Sequence, residues 1–488
     1  MSNNHSRLIV ATWGDPASWK YMEYLDDDGK KSVESFTSLS LLVGRLGEEY
    51  SSDDVIVVVS DTLAVNHNVY GILDSYDETI DTIKKKVREY MCGLEADIHV
   101  LPGTISKIDG RVVGKPRDFY YMMLYTMTNL LKKHPRKRVL LDTTHGVNYM
   151  PTLAYQAVKE ALSLVGPPTG NDDAKLEVYN SDPVSFNKEQ GIACSRNKNN
   201  PCSPNDLDHC KQSLYKGTVQ NILKEAINYA SLIPYLENLL LSNSANKIVS
   251  PVGKPNDELK EKIKSFHKEA MEALQHAKIT IKLVRYGLVP ELAYYTATRG
   301  EETLRTIQDI VDKAVSFWKN EIRVLREEKE IRRRLRFDEG FRILIYAQIL
   351  LERVMDVLKR DQEEYSLPSI SSIRIISDRI YKGVLLFGTI QNREIEKLNK
   401  KIDSSMSQSL SKTKLSLLYS IGSGSKDNCN KFVRDLIAHG GWHTDIIYID
   451  CPEKSDWEKC RIIIHAEDVC IHDSNKNIDL WSLIEYKM

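Results

Sequence analysis

Several things are missing from this chain, and each absence closes a class of function. None of its eight cysteines forms a C-x-x-C pair, which argues against a zinc ribbon or a dithiol redox enzyme. No G-x-G-x-x-G follows the first apolar run, no G-x-x-x-x-G-K-[ST] occurs, and a Ser-centred nucleophile elbow is missing. A dinucleotide cofactor, P-loop NTPase chemistry and α/β-hydrolase chemistry are therefore disfavoured. No apolar run reaches the length of a membrane span, and the opening MSNNHSRLIVATWGDP turns polar at once, so the expectation is a cytoplasmic protein without a membrane partner. Charge of neither sign is in surplus, with 67 basic against 68 acidic residues. That balance excludes a strongly cationic nucleic-acid coat but leaves room for a local basic cleft.

What is present divides in two. At 488 residues the chain is too long for one core and points to about two or three domains. Through Asp182 the apolar runs LIVATW (8–13), VIVVVS (55–60), IHVL (98–101), VLLDTT (139–144) and LEVYNS (176–181) are short, continuous and rich in β-branched residues, as buried parallel strands are. Segments of helical spacing at 33–50, 75–95, 117–133 and 149–165 separate them. This alternation predicts a Rossmann-like α/β domain over 1–184, its mostly parallel sheet covered by helices on both faces. ISKIDGRVVG (105–114), with Asp109-Gly110 between alternating runs, reads as an inserted hairpin. Residues 185–214 are rich in Asn, Ser, Pro and Cys and read as a linker or insertion.

From 215 to 440 the pattern is helical almost throughout, and the basic run RRRLR (332–336) reads as the solvated face of one helix. DIIYID (445–450) and RIIIHA (461–466) flank the turn-rich CPEKSDWEKC and predict a C-terminal β-hairpin on an otherwise all-α domain spanning 215–488. Cys194, Cys202 and Cys210 lie in the polar stretch, and Cys429, Cys451, Cys460 and Cys470 near the C-terminus. The expectation is unpaired thiols, with a Cys451–Cys460 bridge as the alternative.

In an open α/β sheet, ligands sit where strands end and helices begin, because free N–H groups and positive dipole ends gather there. Three such loops are polar: Trp13-Gly14-Asp15-Pro16, Ser60-Asp61-Thr62, and Asp142-Thr143-Thr144-His145-Gly146-Val147-Asn148. In the last, Asn148 is placed to cap a helix with Pro151 in its first turn. Hydroxyls and N–H groups at such turns suit phosphate or ribose oxygens. One loop alone could be simple turn chemistry, and three on one edge favour a ligand.

The stretch VRDLIAHGG (433–441) closes with a glycine helix terminator. On a helix Arg434 and His439 lie about 140° apart, and Asp435 shares a face with His439. A histidine that moves a proton, an arginine that holds a phosphate and an acid that orients the ring suit RNA cleavage without a metal. The spacing equally fits a surface arginine and a dipole-stabilised histidine at an ordinary helix end. Arg138 and His145 match a similar gap, and His443 is a further histidine of the same kind.

Taken together, W-G-D-P (13–16), D-T-T-H-G-V-N-Y-M-P (142–151) and R-D-L-I-A-H (434–439) resemble, in order, the CARF–HEPN ribonucleases of type III CRISPR systems. The resemblance implies an N-terminal CARF (CRISPR-associated Rossmann fold) sensor of cyclic oligoadenylate and a C-terminal HEPN domain that degrades single-stranded RNA with little sequence preference. It implies Arg434 and His439 as the catalytic pair, with Asp435 beside the arginine. Thr144, His145, Gly146 and Asn148 become ligand contacts, joined by Trp13, Gly14, Asp15, Asp61 and Thr62. It also implies a homodimer or larger homo-oligomer with a composite active site, no cofactor or metal for catalysis, and cyclic tetraadenylate as activator ahead of the hexamer. A non-catalytic sensor whose helical half only dimerises is the competing reading, and a sensor that itself opens the ring is a third.

Overall fold

A computed structural model describes the chain except residues 1–6, 45–49, 67, 108–109, 135–137, 167–173, 183–193, 198, 212–213, 362–366, 382–383, 406–409, 420–428, 452–456, 468 and 472–476. Two units emerge. The first comprises Met1–Ile227, Val249–Asn256 and Ser316–Phe337, and the second Asn228–Ile248, Asp257–Val315 and Asp338–Met488.

The first unit runs β1 (Arg7–Trp13), β2 (Lys20–Asp26), β3 (Ser32–Ser35), α1 (Leu39–Val43), β4 (Val55–Ser60), α2 (Tyr76–Glu89), β5 (Asp97–Leu101), β6 (Ile105–Lys107), β7 (Gly110–Val113), α3 (Arg117–Lys133), β8 (Arg138–Asp142), α4 (Met150–Val165), β9 (Ala174–Ser181), β10 (Cys194–Ser195), α5 (Leu207–Lys211) and β11 (Lys216–Ile227). Later segments add β12 (Val249–Pro251), β13 (Ile322–Leu325), β14 (Glu330–Arg333) and β15 (Leu335–Phe337). Among the described residues the main sheet has nine strands in the order β10-β2-β11-β9-β8-β1-β4-β5, with β3 on β2. The five expected strands form its parallel core, β5-β4-β1-β8-β9. β4 is buried at every position, which is why its β-branched run is unbroken. α3 and α4 hold the core with Phe119, Met123, Ala157 and Val158, all wholly buried; each large apolar side chain so placed contributes about 1.5–3 kcal/mol.

Five expectations are corrected. Residues 33–50 are not one helix: Ser32–Ser35 is a strand paired with β2, and α1 is short. Residues 216–227 are strand, not helix; β11 pairs antiparallel with β9 and parallel with β2, so the sheet unit extends past 184. Its residues alternate half-buried with exposed, and Lys and Glu on the outer face gave the stretch a helical look. The 185–214 stretch is tied down, since β10 pairs with Lys20 and Tyr21 and disulfides join Cys194 to Cys210 and Cys92 to Cys202. The thiols are not free: Cys429–Cys470 and Cys451–Cys460 complete four bridges among eight cysteines.

The RRRLR run is the fifth correction. It lies on β14 and β15, not on a helix, and β14 pairs with β13 and with β7 of the 105–114 hairpin. Asp109, expected at that hairpin's turn, lies outside the described residues. Strand alternation sorts the charges: Arg332 faces outward to Glu330, Arg334 bonds Glu321 at 2.7 Å, and Arg333 points inward, wholly buried.

The second unit contains α6 (Ile233–Leu241), α7 (Asp257–Glu269), α8 (Met271–Arg285), α9 (Val289–Asn320, whose end passes into the first unit), α10 (Glu339–Asp361), α11 (Ile370–Ile380), α12 (Leu385–Ser405), α13 (Leu415–Leu418), α14 (Cys429–Ala438) and α15 (Leu480–Lys487). Short strands β16 (Thr413–Lys414), β17 (Ile447–Asp450) and β18 (Arg461–Ile464) make an antiparallel sheet, and β19 (Cys470–Ile471) pairs with β20 (Asn477–Ile478). Residues 452–456 of the turn-rich stretch lie outside the description. α8 and α10 pack together, and Ile281, Phe341 and Leu344 on them are wholly buried. Among the described residues no helix is long and apolar enough to cross a membrane.

Candidate functional site

At the strand-end edge of the first unit, the sequence-chosen residues fall into two groups. Gly14 N–H donates to the His145 carbonyl at 2.7 Å, which joins the loop after β1 to the loop after β8. Gly146 is required by close approach, because a Cβ there would stand 2.5 Å from Pro151 Cγ and 2.5 Å from Thr12 Oγ1. Thr144 N–H donates to Asp142 Oδ1 at 3.0 Å, and its hydroxyl accepts from Ser181 N–H at 3.1 Å. Thr62 is half-buried, its hydroxyl donating to Ser60 Oγ at 2.9 Å. These loops form a continuous rim on which Val147 and Asn148 are exposed.

Of the other chosen residues, Trp13 and Asp61 are buried and Asp15 is half-buried. Trp13 is buried against Trp19. Asp15 caps the turn after β1 and accepts from Asn66 Nδ2 at 2.8 Å and the Tyr70 hydroxyl at 3.2 Å. Asp61 is wholly buried; it accepts from Gly103 N–H at 2.8 Å and the Tyr76 hydroxyl at 2.9 Å, and forms an ion pair with Arg333. As a ligand contact Asp61 is therefore corrected to a structural acceptor, for no surface of it is left to a ligand. Asn148 is corrected as well: α4 is capped at Tyr149 without a side-chain bond, and Asn148 instead takes the left-handed turn conformation, φ 53°.

His145 is half-buried, and its ring is engaged by its neighbours. Its ring stacks on Trp19 at 4.0 Å, and Nε2 accepts from Ser38 N–H at 3.4 Å, with the Tyr24 hydroxyl 3.2 Å away. A ring nitrogen that accepts is unprotonated. Burial, with the Arg196 guanidinium nearby, pushes the imidazole down to about 3. Arg196, which the sequence hid inside the 185–214 stretch, donates from Nε to the Pro16 carbonyl at 2.9 Å and lies 3.8 Å over the Phe36 ring. Arg138 pairs with Glu177, so the Arg138/His145 spacing has no chemistry behind it.

In the second unit, VRDLIAHGG is the end of α14. Phe432 and Leu436 are buried, which turns Arg434 and His439 outward, with side chains 72% and 48% exposed. Gly440, at φ 59°, takes the left-handed turn that ends the helix. Gln391 of α12 pins that turn: its Nε2 donates to the Gly440 carbonyl at 2.6 Å, and its Oε1 accepts from Trp442 Nε1 at 2.7 Å. Asp435 does not orient the histidine ring. Its carboxylate accepts from Arg434 Nε at 3.0 Å and Nη2 at 2.9 Å, and only its backbone carbonyl meets His439 N–H. The acid that faces His439 Nδ1, at 3.4 Å, is Glu394 of α12. It lies 45 residues upstream, and no local pattern announces it. His443 is buried against Phe432 at 4.3 Å and belongs to the core.

A half-exposed histidine beside a carboxylate, with an exposed arginine on the same helix, can move protons at a phosphodiester. Residues 8–183 match the family model for the CARF domain of CRISPR system endoribonuclease Csx1, and residues 386–465 match the model for its HEPN domain. The CRISPR system endoribonuclease Csx1 of Methanocaldococcus jannaschii is 25% identical over 466 residues, covering 92% of this chain and 88% of its own. A solved structure of Enterococcus italicus Csm6 bound to cyclic hexa-2'-fluoro-hexa-dAMP aligns over 82% of this chain and 87% of its own, at 12% identity and a TM-score of 0.21. The chain belongs to the CARF–HEPN endoribonucleases of CRISPR systems.

Proposed function

We propose that the chain cleaves single-stranded RNA without a metal, using the RNA's own 2'-hydroxyl as nucleophile and leaving a 2',3'-cyclic phosphate. The observation that carries this reading is the outward pair on α14, Arg434 and His439, with a buried carboxylate behind the ring. His439 passes the proton between the 2'-hydroxyl and the leaving 5'-oxygen, and Arg434 offsets charge on the phosphate. One arginine and one histidine are a sparse site, so two copies facing each other across a two-fold axis complete it.

Cyclic oligoadenylate is the activator in this reading, bound on the rim of Thr62, Thr144, Gly146, Val147 and Asn148, with the tetramer ahead of the hexamer. Activation is a population shift: the ring prefers the dimer arrangement in which the two helix ends are poised. The state of His145 argues against ring opening by the sensor edge, because its Nε2 already accepts from Ser38 N–H and burial makes the imidazole a weak base, with a pKa of about 3. The test is RNA cleavage with and without each ring size, in EDTA, for the parent and His439→Ala. Ring-dependent cleavage lost only in the variant supports the proposal. Ring binding with no cleavage by the parent assigns a sensor without catalysis, and loss of activity in EDTA overturns the metal-free step.

A further inference from the structure

The Glu394 carboxylate gathers more than the histidine. Oε1 accepts from Arg393 Nη2 at 3.0 Å and Lys397 Nζ at 3.0 Å as well as facing His439 Nδ1 at 3.4 Å. Its side chain is only 7% exposed, whereas Arg393, Lys397 and His439 are 52%, 50% and 48% exposed. Solvent therefore meets three donors and almost none of the acid between them. A carboxylate withdrawn from water is tolerated where cations compensate it. Burial alone would raise its pKa, but bonds from Lys397, His439 and Arg393 hold it below the usual range.

The cations continue along α12. Arg393, Lys397, Lys400 and Lys401 recur at helical spacing on one exposed face, a row of about 12 Å. The core residues Gln391, Ile395, Leu398 and Ile402 lie on the opposite face. Glu396 and Asp403 flank the row on the side away from Glu394 and leave its surplus positive. A solvated helix face needs no buried acid to fix its first two cations beside a histidine.

We propose that this row is a phosphate track for single-stranded RNA, which delivers the backbone to His439, with Glu394 as the positioning residue that holds Arg393, Lys397 and the imidazole around one point. The track reads phosphates and not bases, which suits cleavage with little sequence preference. The inference rests on the ribonuclease reading above.

The experiment uses the full chain, a fluorophore–quencher single-stranded RNA, whichever of cyclic tetraadenylate and cyclic hexaadenylate activates, and a salt series. Replacing both Lys400→Gln and Lys401→Gln raises KM about three- to fivefold for each lysine that meets a phosphate. It also flattens the slope of log kcat/KM against log salt by about 0.7 per lysine, while kcat changes far less. Glu394→Gln lowers kcat as well as raising KM, because both the ring and the cations lose their anchor. A lysine variant with the parent's KM and salt slope, or one that loses kcat at constant KM, overturns the track. The two lysines are exposed, so their replacement does not depend on refolding the core. His439→Ala separates the levels: if it cleaves like the parent, the ribonuclease reading falls; if it is inactive while the lysine variants match the parent, only the track falls.

Discussion

The two units treat the same polar side chains in opposite ways. At the sheet edge His145 is stacked, accepts a backbone N–H and is held neutral, and Asp61 is sealed against Arg333. At the end of α14, His439 and Arg434 stand in solvent, with acids beside and behind them. The difference teaches that a histidine or an ion pair near a functional loop is not functional by type. Its exposure and the role of its nitrogen or oxygen decide whether it holds the loop or acts from it.

The largest effect that could break this contrast is in catalysis. His439→Ala is expected to cut turnover by about two to four orders of magnitude at saturating activator. His145→Ala is expected to act on thermal stability and on the activator concentration needed, read from a melt and a dose curve. Equal losses of turnover in the two variants would erase the distinction. The ion pairs come next. Asp61→Ala takes from the buried Arg333 its ion-pair partner and is expected to cost about 3–5 kcal/mol of stability, whereas Asp435→Ala, on an exposed pair, costs about 0–1 kcal/mol. Denaturant melts of both variants rank them directly.

Reduction of the four disulfides is expected to cost about 2–4 kcal/mol each, visible as a lower Tm with dithiothreitol. A further effect, dependent on pH, tests burial in the helical unit. Glu291 is wholly buried beneath Gly441, neither oxygen has a hydrogen-bond partner among the described residues, and burial pushes its carboxyl up to about 8. A raised carboxyl pKa means the folded chain holds a proton that the unfolded chain releases. Its stabilising contribution is full below about 4.5, the ordinary value, and is lost as pH rises toward 8, by up to about 1.4 kcal/mol per pH unit. Glu291→Gln is expected to raise the Tm at pH 8 relative to the parent and not at pH 4.5. Parallel pH profiles would remove the buried proton.

Much of the sheet was legible because β-branched runs such as VIVVVS cannot sit elsewhere, and helices 76–89, 117–133 and 150–165 carry their own periodicity. What escaped was set by partners distant in sequence. β11 reads as amphipathic helix until β9 and β2 flank it, and Arg333 reads as solvated until Asp61, 272 residues away, neutralises it. The candidate site at the end of α14 was half legible: α14 and its glycine stop are local, but Glu394 reaches His439 only through the packing of α12.

The first unit is assembled from three stretches of chain, and β13–β15 arrive last, after a long excursion through α6 to α9. On the ribosome, where N-terminal elements emerge first, Asp61 waits with its carboxylate uncompensated until Arg333 has been synthesised. The sensor unit therefore matures only after some 330 residues of chain exist, and a truncated product ending before β14 cannot close it.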